Sequence, residues 1–303
     1  MEQPPGAPPA PPALTEVRKG GSGGLRLAIV AITLIVVIAI AIIGYAVVGY
    51  AAGERRVSEA EKTLNAVIAD QNKLITTFKE IDTKFSGLNA NSTFDAKQAK
   101  TLYAQFIADA QDSGNIVDRD QASMAAASLK LDDQAWLTAI DMGNINKTHT
   151  RLTHAQKALA SAKLVSDDYV LDGQFFQALV DTIIDLDTLS SQASASDLGG
   201  AKATVATLKT HVDVATQKSS APGLPPEYHL LMVDFQALAA DFGHLLDAIT
   251  ANDGVAVTTY VDRLNADSGK ISAYNFDKMV TDLSAFYKPY IDTFNSEMSA
   301  ATA

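Results

Sequence analysis

Apolar residues recur at three- and four-residue steps through most of this chain, and that spacing predicts helix after helix. From Val57 the series runs Val57, Ala60, Leu64, Val67/Ile68, Leu74/Ile75, Phe78, Ile81 and Phe85. It describes one helix with a single buried stripe. Gln71 interrupts that stripe as a polar residue of the kind that marks register. Gly87-Leu88-Asn89-Ala90-Asn91-Ser92 marks the next boundary, and Ser92 with Asp95 forms an N-cap pair for a helix through Leu102, Tyr103, Phe106 and Ile107. Asp112-Ser113-Gly114-Asn115 is expected to stop that helix. An Ala-rich helix to about Leu129 follows, then one over residues 134–163 that Gly143 and Asn144 are placed to break.

Beyond Val165 the pattern sharpens. Asp167/Asp168 is expected to cap a helix striped by Phe176, Leu179, Ile183 and Leu186. Ser196-Asp197 opens another through Val205, Leu208 and Val212. The run from Ser219 to Pro226 is a stop and restart, because proline is well tolerated in a first helical turn. The next helix has the cleanest seam: Leu231, Phe235, Leu238, Phe242, Leu245 and Ile249. Asn252-Asp253-Gly254 turns it into a helix with Val257, Tyr260/Val261, Leu264 and Ile271. The last helix carries Phe276, Met279, Leu283, Phe286, Tyr290 and Phe294, with a kink expected at Pro289. Phe-Gln-Ala-Leu occurs at 176–179 and again at 235–238, each early in a striped helix that leads through a turn to a smaller helix. That suggests a duplicated hairpin.

No run alternates strictly between apolar and polar, and four prolines follow residue 24. The fold class is therefore all-α: antiparallel helices joined by short loops, in one bundle or two stacked ones with coiled-coil-like seams.

A different pattern precedes this domain. Residues 27–52 contain no charged side chain over 26 positions, which is enough to cross a bilayer with tilt. Tyr45 and Tyr50 lie near one end, where amphipathic rings favour the headgroup zone. Residues 1–24 hold six of the ten prolines and five of the eighteen glycines, a composition that cannot offset the entropy of ordering. The expected organisation is a Pro/Gly-rich disordered tail over 1–24 and a transmembrane signal anchor over 25–52. A membrane-proximal helical region over 53–165 and a membrane-distal bundle over 166–303 follow. Gly49-Tyr50-Ala51 also offers a small-residue cleavage site, which would release the span. Arg18, Lys19 and Arg26 before the span balance Arg55, Arg56 and Lys62 after it. Architecture then decides: one N-terminal span is expected to leave the tail cytoplasmic and the large domain extracytoplasmic.

Charge narrows the partners. Three of the 24 Lys+Arg and two of the 35 Asp+Glu precede residue 53, so the remaining domain carries −12. Such a domain has no electrostatic pull on nucleic acid. Expected partners are the lipid bilayer and another envelope or membrane protein.

Candidate chemistry is sparse. Zero cysteine excludes disulfides, thiolate metal sites and cysteine nucleophiles. His149 and His154 are about 140° apart on a helix, and His229 and His244 are about four turns apart, so neither pair fits a metal. No phosphate loop, nucleophile elbow or dinucleotide fingerprint occurs, and neither catalytic residues nor a metal or other cofactor is expected. The weak candidate polar site is His244 with Asp241 and Asp247 three positions either side, more simply read as a histidine among solvated acids. Asp181, Asp185 and Asp187 form an acidic run without the spaced ligands of a calcium loop. Asn91 and Asn146 head N-glycosylation triplets. The pattern points to a single-pass protein presenting a helical bundle for protein contact, scaffolding or envelope structure. The alternative is a ligand-sensing bundle working with a partner membrane subunit. Neither reading is an enzyme.

Overall fold

The computed structural model describes residues 55–90, 95–132 and 142–303, and among these there are seven helices and no strand. They are α1 (Arg55–Ala90), α2 (Ala96–Asp132), α3 (Met142–Ser194), α4 (Leu198–Lys218), α5 (Pro226–Thr250), α6 (Gly254–Ser272) and α7 (Phe276–Thr302). The protein is all-α. The expected tail and transmembrane anchor, Ser92, Asn91 and the helix start near residue 134 lie outside the described residues. Among the described residues no helix is long and apolar enough to cross a membrane.

Two cores hold the helices together. Ala60, Leu64, Val67 and Ile68 of α1 meet Val117, Met124 and Leu131 of α2 and Leu152 and Leu159 of α3 in the first. The second joins the N-terminal half of α2, the C-terminal half of α3, and α4 to α7. α2, α3 and α7 pass through both, and Met298 and Ala301 at the end of α7 return to the first core. The boundary expected at 165/166 therefore falls inside α3, and the two cores divide helices rather than successive stretches of chain.

Several expected helix ends are absent. α2 runs straight through Asp112-Ser113-Gly114-Asn115. Ser113 is buried and its hydroxyl donates to the Asp109 carbonyl at 2.7 Å, so this polar residue is satisfied inside the helix. One helical glycine costs about 1 kcal/mol, which burial of Ala110 and Val117 on either side outweighs. Asp95 caps α2, accepting from the Gln98 N–H at 3.0 Å. Gly143 and Asn144 lie in the first turn of α3 rather than breaking it, and Asp167/Asp168 lie mid-helix rather than capping. α3 is 53 residues long, about 80 Å at 1.5 Å per residue, and α2, α4 and α7 all pack along it.

The duplicated hairpin has a shared physical turn. Ser196 and Asn252 both adopt left-handed φ, 57° and 54°. The following Asp197 and Asp253 N–H groups close back to the Gln192 and Ala248 carbonyls at 2.9 and 3.0 Å. Each aspartate then caps the next helix: Asp197 accepts from Gly200 N–H, and Asp253 from Val255 and Ala256 N–H. Val205 and Leu208 of α4 stand at the same distance from their cap as Val261 and Leu264 of α6. α5 starts at Pro226 as expected, and α7 continues unbroken across Pro289.

The stripe on α7 is displaced from the expected one. Phe276, Met279 and Leu283 are buried, but the next buried residues are Tyr287 and Ile291, while Phe286 is 38% exposed. At about 100° per residue, Phe286 lies about 80° away from the direction of Phe276 while Tyr287 lies within about 20° of it, so the buried face falls on position 287 rather than 286. α7 packs mainly along α3.

Candidate functional site

Of the residues expected to form a polar site, Asp241 and His244 face α6 while Asp247 turns to α4. Asp247 pairs with Lys202 of α4 at 3.0 Å. Asp241 sits 3.8 Å from Arg263 of α6. His244 is exposed and stacks on Tyr260 of α6, ring centroids 5.1 Å apart, with the Arg263 guanidinium 5.3 Å from that same ring. α5 thus uses this face to hold its two neighbours. The acidic run on α3 is divided too: Asp181 pairs with Lys100 at 2.6 Å, and Asp185 with His211 Nδ1 at 2.7 Å. Among the described residues no group of three or more His, Asp or Glu is placed to hold a metal ion.

The structure instead gathers a buried centre around Asp172, which is 1% exposed. Tyr287 donates to Asp172 Oδ2 at 2.7 Å, and its hydroxyl lies 3.3 Å from the Pro222 carbonyl. Asp172 Oδ1 and the Tyr228 hydroxyl are buried with no hydrogen-bond partner among the described residues. The Tyr169 and Tyr287 rings meet edge to face at 5.0 Å, and Tyr228 meets Phe175 and Phe176 at 5.2 and 5.4 Å. Gly223, at φ +84°, lets the chain approach here: a Cβ would come within 2.8 Å of the Tyr287 oxygen. Burial pushes the Asp172 carboxyl up to about 8; the Tyr287 hydrogen bond opposes that shift and the nearby Asp168 adds to it. Burial, with the Asp172 charge second, also pushes the hydroxyls of Tyr169, Tyr228 and Tyr287 upward. Asp172 was missed in the sequence although its spacing was visible. Asp168, Asp172, Phe176 and Leu179 advance by four, four and three, so the acid lies on the apolar stripe itself.

A second feature is a groove of about 350 Å³ between α1 and α2. Lys62, Lys130 and Glu59 line it, with Arg119 bridging Asp70 and the buried Asp120. Gln71 reaches Asp120 across the helix pair at 3.1 Å. Burial, partly offset by that amide, raises the Asp120 carboxyl above its ordinary value.

The third is the outer face of α5. Leu230 is 55% and Val233 43% exposed, and Ala237 continues the row as an exposed residue with Ala240 half-buried. Positions 230, 233, 237 and 240 form one helical seam. The opposite face, with Leu231, Phe235 and Leu238, is buried in the second core. α5 therefore carries a second, exposed apolar row beside its buried seam, and the spacing of that row is visible in the sequence.

Comparison of the chain with protein families, curated proteins and solved structures finds no match.

Proposed function

We propose that this chain is a single-pass, membrane-anchored, extracytoplasmic helical module that acts by protein contact rather than catalysis. Residues 27–52 are its anchor, and another envelope or membrane protein docks on α5. The observation that carries this reading is the uncovered row Leu230, Val233, Ala237 and Ala240. An exposed apolar row on a helix whose opposite face is already buried marks a surface for a partner. The partner that fits this row is a helix with an apolar stripe of its own.

A photo-crosslinking side chain at Ala237 of the full-length protein, in native membranes, tests this. We expect one discrete adduct, lost when Val233→Asp is added in a chain whose melting is unchanged. The same probe at Asn265, on the polar face of α6, should give none. Equal adducts from both positions, or adducts indifferent to Val233→Asp, would refute the docking face.

The ligand-sensing reading draws support from the α1–α2 groove, whose charged lining could orient a small polar molecule. Its signature would be a ligand-induced melting shift abolished by Arg119→Ala and untouched by Val233→Asp.

A further inference from the structure

We propose that Asp172 is a proton-operated latch. Neutral, it lets α3, α5, α7 and the 219–225 loop close around it; ionised, it loosens that junction. This stands independently of the α5 docking face.

The geometry makes an anion at this position hard to accommodate. A carboxylate has about four acceptor sites. Here one oxygen receives the Tyr287 hydroxyl and the other is buried without a partner among the described residues. Among the described residues, the titratable groups that act on Asp172 are Asp168 and Tyr169 from α3, Tyr228 from α5 and Tyr287 from α7. None is a cation. α2 closes this side with uncharged rings, Phe106 against Tyr169 and Tyr103 against Phe176. The loop contributes the Pro222 carbonyl, an acceptor that competes with Asp172 for the one Tyr287 hydrogen. Neutralising the carboxyl removes the uncompensated buried charge.

The same contacts couple protonation to movement. Tyr287 is fully buried, and Gly223 presses so close that its missing side chain would collide with Phe286 and the Tyr287 oxygen. Tyr287 cannot leave Asp172 without displacing the loop. α7 then continues to Met298 and Ala301 in the first core, so the latch sits on a helix common to both cores.

The direction follows from the buried carboxyl lying near 8 against 3.8 for a solvated one. Between these values the closed state holds a proton that the opened state has lost. Closure is therefore strongest in acid, weakens as pH rises, and stops weakening once the closed state is itself ionised.

The test is hydrogen exchange followed by mass spectrometry on the full-length chain in lipid nanodiscs, with rates corrected for intrinsic pH dependence. Peptides covering 219–228 and 283–291 should lose about tenfold of their protection per pH unit from about pH 5 to pH 8, then level off. Peptides covering 60–68 should stay flat. Asp172→Asn should flatten the dependence. Tyr287→Phe removes the hydrogen bond that favours the anion, so levelling should move to higher pH. Wild-type protection that does not vary with pH, or an unchanged slope in Asp172→Asn, overturns the proposal. If Asp172→Asn does not fold, levelling at the wild-type pH in Tyr287→Phe overturns it equally.

Discussion

Tyr287 of α7 donates a 2.7 Å hydrogen bond to Asp172 of α3 across 115 residues of chain. It joins the last helix to the longest one at a point where both side chains are buried. The adjacent Phe286 keeps 38% of its surface in solvent. Tyr287→Ala should therefore cost about 3–5 kcal/mol, the range for emptying a large buried ring site. Phe286→Asp should cost only about 1 kcal/mol, since a charge there reaches water. Denaturant midpoints of the two variants check this; equal losses would mean that the register of α7 is wrong.

The C-terminal end of α7 is tied down by polar contacts as well as apolar ones. Arg151 donates to the Ala301 carbonyl at 2.7 Å and to Glu61 at 2.6 Å, and His154 meets Glu297 at 2.6 Å. Deleting residues 295–303 removes Met298 and Ala301 from the first core, and should cost about 2–5 kcal/mol. Deleting all of α7 opens both cores and should abolish cooperative melting. Thermal unfolding followed by circular dichroism distinguishes these outcomes; unchanged melting after either deletion would make α7 peripheral.

Left-handed Ser196 is the costliest turn residue, because a side chain there crowds the backbone. Ser196→Gly should stabilise the protein by about 1 kcal/mol, and Asn252→Gly by less, since asparagine tolerates this conformation. A lower midpoint for Ser196→Gly would contradict the turn described.

Gln71 donates to the buried Asp120 across α1 and α2. Gln71→Ala should cost about 1–3 kcal/mol by leaving that carboxylate short of a donor. In Asp120→Ala the added Gln71→Ala should cost much less. Additive losses in this double-mutant cycle would show that the pair is not coupled.

Topology has its own measurement. Protease added to intact cells should remove the domain after residue 53 and spare a tag at Met1, as the expected anchor and orientation require. Protection of the domain would refute both.

The sequence by itself determined the all-α class and the turns at 195–197, 219–225 and 251–253. Gly, Pro and Asp act there through neighbouring backbone groups, so the signal is local. It also determined the uncharged stretch 27–52 that the membrane reading rests on. Tertiary structure decided the rest. Asp112-Ser113-Gly114-Asn115 and Asp167-Asp168 look like helix ends, yet both are helical, because long neighbours pack across them and a local preference of about 1 kcal/mol yields to burial. On α7 the expected stripe ran through Phe286, but the helical period from Phe276 and the path along α3 put Tyr287 on the buried face. Asp241, His244 and Asp247 share a helix face by spacing, but α4 and α6 draw them to different partners. Asp172 became a centre only when α5, α7 and the 219–225 loop brought uncharged rings and a carbonyl around it, and nothing near it in sequence encodes those neighbours.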